Sequence, residues 1–229
     1  VIKGISFEIP ERNFVALVGS SGSGKTTIAR LLARFWDIDE GEISVGGVPI
    51  KSMTQEHLLS KISMVFQDVY LFKDTIAENI RIGKNNASDE EIYAAAKSAA
   101  CHDFIMSLPD GYNTIVGEGG STLSGGEKQR ISIARAILSD APIVFLDEAT
   151  ASLDPENEVL IQKAIDELVK NKTVMVIAHR LQSVMNADKI IVLDDGIITE
   201  EGNHEELLKK GGRYAALWNE QQTAGSWKL

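Results

Sequence analysis

The chain has 229 residues, of which 44% are hydrophobic and 24% are charged, a composition typical of a globular protein and too rich in apolar residues for a disordered one. Its formal net charge of −10, from 23 Lys and Arg residues against 33 Asp and Glu residues, disfavours general binding to nucleic acid. The single cysteine, Cys101, excludes an internal disulfide and fits a reducing compartment, and no apolar run approaches the roughly 18–20 residues that span a bilayer.

Five apolar runs bounded by polar residues predict β-strands. They are FVALVG (14–19), ISMVFQ (62–67), PIVFLD (142–147), TVMVIAH (173–179) and KIIVLDDGIITEEG (189–202). The middle three are rich in Val and Ile, which is typical of buried strands in a parallel sheet. In the last run, Asp195 and Gly196 separate two apolar segments, and this pattern predicts an antiparallel hairpin.

Helical patterns lie between these strands, at Lys25–Phe35, Ser88–Leu108 and Pro155–Lys170. The last of them follows Asp154 and has proline at its first position, and both features indicate a helix start. Alternation of strands and helices predicts an α/β fold whose mainly parallel sheet is covered on both faces.

One part of the chain departs from this alternation. Residues 69–139 lack clear strand patterning and are mostly helical in pattern, so we expect them to form a helical subdomain inserted into a core of residues 1–68 and 140–229. The end of the chain, RYAALWNEQQTAGSWKL (213–229), predicts a helix followed by a frayed tail.

A glycine-rich loop follows the first predicted strand and precedes the first predicted helix. It fits the phosphate-loop pattern G-x-x-x-x-G-K-[ST], with the residues Gly19, Ser20, Ser21, Gly22, Ser23, Gly24, Lys25, Thr26 and Thr27. Its glycines let backbone N–H groups converge on phosphates, and the helix dipole favours the negative charge. We expect the Lys25 ammonium to bind the β- and γ-phosphates of a nucleotide and the Thr26 hydroxyl to bind Mg²⁺.

Polar side chains end three of the other predicted strands. Asp147 and Glu148 follow one, where we expect Asp147 to hold Mg²⁺ and Glu148 to polarise an attacking water. His179 ends another, where we expect a neutral imidazole to hydrogen-bond a γ-phosphate or the attacking water and to hold Glu148 in position, and Gln67 ends a third, where we expect its amide to reach Mg²⁺ or water. The remaining histidines lie in polar or helical contexts and are expected at the surface: His57, His102 and His204.

The stretch LSGGEKQR (123–130) predicts a helix start. Ser124 and Glu127 have the spacing of a capping box. Gly125 and Gly126 fall in the first turn, where each glycine costs about 1 kcal/mol relative to alanine if treated as helix interior. Bare backbone at this point leaves room for a phosphate to approach the start of the helix.

Taken in this order, the motifs resemble those of the nucleotide-binding domain of ATP-binding cassette (ABC) transporters over nearly the whole chain. GSSGSGKTT resembles Walker A, Gln67 the Q-loop, LSGGEKQ the family signature, IVFLDE Walker B, SLD (152–154) the D-loop and His179 the H-loop. The segment TIVGEGGSTLSGGEKQR and the ending GNHEELLKKGGRYAALWNEQ are similar to those of exporter-type members.

The resemblance implies a P-loop NTPase (RecA-like) core that binds ATP and Mg²⁺ and hydrolyses ATP. Two such domains, identical or different, would form a head-to-tail dimer with Asp154 near the interface and ATP between the phosphate loop of one and the signature of the other. Glu148 would act as general base, His179 and Gln67 would assist, and Thr26, Gln67 and Asp147 would bind the metal. The ATP contacts would come from the nine phosphate-loop residues and from the signature residues Ser124, Gly125, Gly126 and Glu127.

A transmembrane domain and the aromatic residue that stacks on adenine are expected upstream of Val1, which would place this soluble segment at the cytoplasmic face of the cell membrane. Three alternatives stay open at this point: a siderophore importer with exporter architecture, a non-transport ABC ATPase, and a small-molecule kinase or GTPase. The last leaves the signature and Gln67 unexplained, and KNKT (170–173) lacks the aspartate of a guanine-binding motif.

Overall fold

The structure, a computed structural model, describes residues 2–118, 123–147 and 155–225, of which residues 155, 156, 224 and 225 are described by their backbone alone. Its strands are β1 (Phe14–Gly19), β2 (Ser44–Val45), β3 (Val48–Pro49), β4 (Ile62–Val65), β5 (Asp74–Thr75), β6 (Ile115–Val116), β7 (Ile143–Asp147), β8 (Thr173–Ile177), β9 (Lys189–Asp194) and β10 (Ile197–Gly202). Its α-helices are α1 (Lys25–Leu32), α2 (Gln55–Leu59), α3 (Ile76–Arg81), α4 (Asp89–Ser98), α5 (His102–Ser107), α6 (Gly125–Ser139), α7 (Pro155–Val169), α8 (His204–Lys210) and α9 (Arg213–Gly225).

The five predicted apolar runs form one six-stranded sheet in the order β10-β9-β1-β8-β7-β4. β1 is parallel to both of its neighbours, β8 and β9, whereas β10 is antiparallel to β9. The turn between β9 and β10 has positive φ at Asp195 (45°) and Gly196 (80°), as a two-residue hairpin of primed type requires. The mainly parallel sheet with one antiparallel element is therefore confirmed.

The chain forms two compact units, the first of residues 1–62, 145–147 and 172–229 and the second of residues 63–144 and 148–171. The second unit contains most of the helices in the middle of the chain and also α7. The predicted domain bounds, 1–68 and 140–229 against 69–139, remain a prediction.

The first unit has its core on the central strands. Ala16 and Val18 on β1 and Val192 on β9 are fully buried, and they belong to one apolar cluster with Leu181 and Tyr214. Because Tyr214 lies on α9, this cluster fixes the C-terminal helix against the sheet.

The second unit is organised around α6, which packs against α3, α4 and α7. Ile131, Ile133 and Ala134 of α6 are fully buried. On α7, Ala164 and Leu168 are buried, as the predicted apolar face requires.

The helix predicted over 88–108 is wrong as a single element, because α4 ends at Ser98 and α5 begins at His102. Ala100 adopts a left-handed conformation (φ 51°), and the Cys101 N–H donates to the Ala96 carbonyl, which closes the end of α4. Cys101 is fully buried, so packing of this turn overrides the helical propensity of the alanine run. The unit also contains two strands of two residues each, β5 and β6, that the sequence pattern did not indicate.

Candidate functional site

The glycine-rich loop joins the end of β1 to the start of α1. Gly24 is the N-cap of α1 with φ 106°, a left-handed conformation that glycine adopts without strain, and no side chain caps this helix. By contrast, Ser88, Ser124 and Asn203 each cap their own helix through a side-chain oxygen. The start of α1 therefore presents backbone donors and the positive end of its dipole to an anion, which is the environment that suits a phosphate.

Lys25 is the cation of this loop, and it is 96% buried, with 4% of its surface exposed. Its Nζ donates to the backbone oxygens of Gly19 and Ser20, at 2.9 Å each, and lies 3.5 Å from Ser23 Oγ. An ammonium held within a loop at the start of a helix adds its positive charge to the positive end of the helix dipole. The Lys25 side chain thus fits a polyphosphate ligand.

The other loop residues differ in exposure. Ser21 and Gly22 are exposed, Ser23 is buried, and Thr26 and Thr27 on the first turn of α1 are half-buried. The loop is supported by the β9–β10 hairpin: the Gly196 N–H donates to the Ser23 carbonyl at 3.2 Å, and the Ser20 hydroxyl donates to Asp194 at 3.4 Å. The hairpin therefore holds the loop from behind, leaving its middle at the surface.

Two of the predicted strand-end residues belong to the same unit as the phosphate loop. β1 and β8 are parallel with Leu17 opposite Ile177, and continuing this register places Gly19 opposite His179. His179 is exposed. Asp147 is half-buried and ends β7, which is the other neighbour of β8. Continued in this way, the register puts His179 beside the loop, and Asp147 ends the next strand; the catalytic and metal-binding roles of these residues remain predictions.

The remaining predicted catalytic residues are placed differently. Gln67 is exposed and follows β4 in the second unit. Glu148 and Asp154 lie outside the described residues, so their predicted roles remain predictions.

The predicted capping box at Ser124 is confirmed at the start of α6. The Glu127 N–H donates to Ser124 Oγ at 3.3 Å, and the Ser124 N–H donates to the Glu127 carboxylate at 2.8 Å. The two glycines of the signature differ, since Gly125 is exposed and Gly126 is buried. Only Gly125 has the exposure that the predicted contact with another molecule requires.

Gly126 has a packing role that the sequence did not indicate. A Cβ placed on it would come within 2.6 Å of Asn157 Cγ on α7, so the two helices approach too closely here for a side chain. Asn157 in turn accepts a hydrogen bond from Arg130 Nη1 at 2.6 Å. Arg130 is buried and stacks over the Phe104 ring at 5.2 Å. The second glycine therefore belongs to a packed polar contact within one chain.

The expectation that His57, His102 and His204 are surface residues holds for His57 alone. His102 and His204 are half-buried, and Nδ1 of each lies 2.8 Å from a tyrosine hydroxyl, Tyr112 and Tyr214 respectively. Each histidine begins a helix and its tyrosine partner follows ten residues later, a relation that helical periodicity does not reveal.

Two residues near the predicted motifs went unrecognised in the sequence. Asn157 carries no sequence signal, because an asparagine on the first turns of a helix is common. Gln221 donates a hydrogen bond to the His179 carbonyl at 2.6 Å. Its signal is weak but present: position 221 continues the stripe of Tyr214, Leu217 and Trp218 on α9, where an apolar residue would be expected.

A mainly parallel sheet, a phosphate loop on a central strand and a lysine buried within that loop define a P-loop NTPase. Residues 2–151 match the family model described as ABC transporter. The chain belongs to this family as an ATP-hydrolysing domain, and the proteins that it resembles include exporters.

Relatives and a solved structure agree with this assignment. The chain is 54% identical over 96% of its length to heavy metal tolerance factor 1 of Caenorhabditis elegans, of which it covers 28%. It is 52% identical over 97% of its length to the ATP-dependent lipid A-core flippase of Legionella pneumophila, of which it covers 38%. It is 47% identical, with a TM-score of 0.90, to a bacterial Atm1-family ABC exporter with ATP bound, over 96% of this chain and 38% of that one.

The chain thus spans about a third of the length of the proteins that it matches. Within the described part of the chain, every helix is too short or too polar to cross a bilayer.

Proposed function

We propose that the chain is the ATP-hydrolysing component of a membrane exporter, working as one half of a head-to-tail dimer that closes on ATP and reopens after hydrolysis. The observation that carries this proposal is the buried Lys25 ammonium at the uncapped start of α1, because that combination fits the phosphates of a nucleotide. The relatives named as flippase and exporter support export as the process that is driven.

The residues of the first unit would bind and orient ATP. Lys25 and the backbone of residues 19–24 would hold the phosphates, and the ring of His179, opposite Gly19 in register, would hydrogen-bond the γ-phosphate. Glu148 would take a proton from the attacking water, which makes the water a better nucleophile.

A magnesium ion would be held in the first unit by the Thr26 hydroxyl and the half-buried Asp147 carboxylate, which are hard oxygen ligands. The Gln67 amide oxygen, in the second unit, is of the same chemical kind, and its predicted part in binding the ion remains a prediction. When bound, the ion would neutralise charge on the phosphates. The protein's own part would be to hold these oxygens in place.

The second anion-binding element would serve a partner domain. The exposed Gly125 and the Ser124 hydroxyl, together with the capped start of α6, would contact the γ-phosphate of ATP held by the partner's phosphate loop, with Asp154 near the interface. The partner would be a second copy or a related domain. A transmembrane domain would couple this dimer to transport and place it at the cytoplasmic face of the membrane.

The test is nucleotide hydrolysis by the purified chain with ATP or GTP and Mg²⁺. We expect ATP turnover that rises faster than linearly with protein concentration, because the active species is a dimer. Lys25→Ala should weaken ATP binding at least tenfold, whereas Lys97→Ala, which changes an exposed lysine on α4, should leave it unchanged. Equal affinity of the Lys25→Ala variant and the wild type would contradict the phosphate-loop assignment.

A further inference from the structure

The C-terminal helix α9 is held at its first turn by a carboxylate of β10. Glu200 accepts hydrogen bonds from the backbone N–H groups of Arg213 and Tyr214, at 2.7 and 3.0 Å. A negative charge at a helix N-terminus is favourable because it satisfies open donors and opposes the dipole. Tyr214 is fully buried and its hydroxyl pairs with His204. The rotation and register of α9 are therefore fixed where it begins.

One face of α9 packs on the core of the first unit. Tyr214, Leu217 and Trp218 contact the apolar cluster that includes Leu181. Gln221 stands three residues after Trp218 and four after Leu217, so it lies on the same face, one turn further on.

The Gln221 amide bridges the segment that carries His179. Its Nε2 donates to the His179 carbonyl at 2.6 Å, and its Oε1 accepts from the Leu181 N–H at 2.9 Å. A primary amide has both a donor and an acceptor, and here each is used on one side of Arg180. Leu181 is 2% exposed and anchors the far end of this contact in the core.

This contact restrains the backbone on which the His179 ring is mounted. The position of a carbonyl oxygen relative to the rest of its residue is set by the ψ angle. Because Gln221 holds the His179 carbonyl oxygen, it restrains the His179 ψ angle and with it the direction of the His179 Cα–Cβ bond. His179 is itself exposed, and it follows the last residue pair of β1 and β8, so the Gln221 contact adds a restraint beyond the hydrogen-bonded ladder of the sheet.

We infer that Gln221 is a positioning residue for His179, through which the C-terminal helix keeps the histidine ring aimed at the nucleotide. The inference rests on the proposed ATPase function. Gln221 acts through the His179 peptide alone, without touching the nucleotide.

The test compares Gln221→Met, which keeps the size of the side chain and removes both hydrogen bonds, with the matched control Gln222→Met at the adjacent exposed position of the 229-residue chain. We expect kcat for ATP to fall about three- to tenfold in Gln221→Met, with KM within twofold, because orientation is lost and phosphate binding is not. Gln221→Glu keeps the acceptor for Leu181 and loses the donor to His179, so it should lose at least as much activity as Gln221→Met.

Hydrogen exchange of the Leu181 amide gives a readout that is independent of activity. It should be faster in Gln221→Met than in the control, while the urea midpoints of the two variants agree. Unchanged kcat in Gln221→Met, or unchanged Leu181 exchange, overturns the inference while leaving the ATPase proposal intact. If the wild type and Gln222→Met also fail to hydrolyse ATP, the proposed function fails, and with it the inference that rests on it.

Discussion

Replacing Gly126 with alanine separates two explanations of the signature glycines. Helix propensity alone predicts that the change stabilises α6, because alanine is better than glycine by about 1 kcal/mol within a helix. The structure predicts the opposite, because a Cβ at this position would lie 2.6 Å from Asn157 Cγ and 2.7 Å from its Oδ1.

The size of the loss in stability depends on the hydrogen bond that Arg130 makes with Asn157. To avoid the new methyl group its side chain has to turn away, which removes the 2.6 Å hydrogen bond from the buried Arg130. A hydrogen bond to a charged group contributes about 1.5–3 kcal/mol, and overpacking typically costs about 1–3 kcal/mol. After subtracting the gain in helix propensity, we expect Gly126→Ala to lower the free energy of unfolding by roughly 3 kcal/mol.

Urea denaturation of the wild type, Gly126→Ala and Gly125→Ala measures this directly. Gly125 is exposed, so alanine there should raise the free energy of unfolding by up to about 1 kcal/mol, while lowering ATP turnover if the bare backbone contacts the partner's nucleotide. The double variant Gly126→Ala, Asn157→Ala should recover part of the lost stability, because it lacks the Asn157 side-chain atoms that the new methyl group would meet. If Gly126→Ala were as stable as the wild type, α6 and α7 would have room for a side chain at position 126, and the predicted clash with Asn157 would be wrong.

Three further predictions concern other parts of the chain. Glu148→Gln should preserve ATP binding, trap a dimer seen by gel filtration and lower turnover at least a hundredfold, and near-normal turnover would rule out Glu148 as the base. Burial raises the pKa of the Cys101 thiol to about 12, so the thiol should resist a thiol reagent at pH 8 until urea unfolds the chain. Its contribution to stability should be complete below about pH 8.5 and decline as pH rises toward 12, so the loss of stability over this range should be smaller in a Cys101→Ala variant. Tyr214→Phe removes the hydroxyl that pairs with His204 and should cost about 1 kcal/mol in urea denaturation, with Tyr93→Phe as the control.

The central sheet could be predicted because its strands are almost entirely apolar in sequence. Residues 14–19 and 189–194 are apolar runs with sharp polar ends, and burial on both faces demands that pattern. The phosphate loop was equally predictable, since its function requires fixed residue types at fixed spacing and leaves the sequence little freedom.

Features that depend on contacts between distant segments could not be predicted. The break at Ala100 divides a run with good helical propensity, because Cys101 is drawn into the core. The tight approach of Gly126 to Asn157 joins residues 31 positions apart, and the Gln221 contact to His179 joins residues 42 apart. In each case the contact depends on which distant segments pack together. The periodicity of residues within one helix or strand does not indicate this.

The capping box of α6 bears on whether the start of this helix must open before it contacts a nucleotide held by a partner domain. Ser124 Oγ accepts the Glu127 N–H through a lone pair, and a serine hydroxyl keeps its own proton for a further acceptor. The Glu127 carboxylate meanwhile accepts a hydrogen bond from the Ser124 N–H at 2.8 Å. The Ser124 hydroxyl can therefore cap α6 and donate a hydrogen bond to a phosphate at the same time. Contact between two domains would then require no unwinding of the first turn of α6.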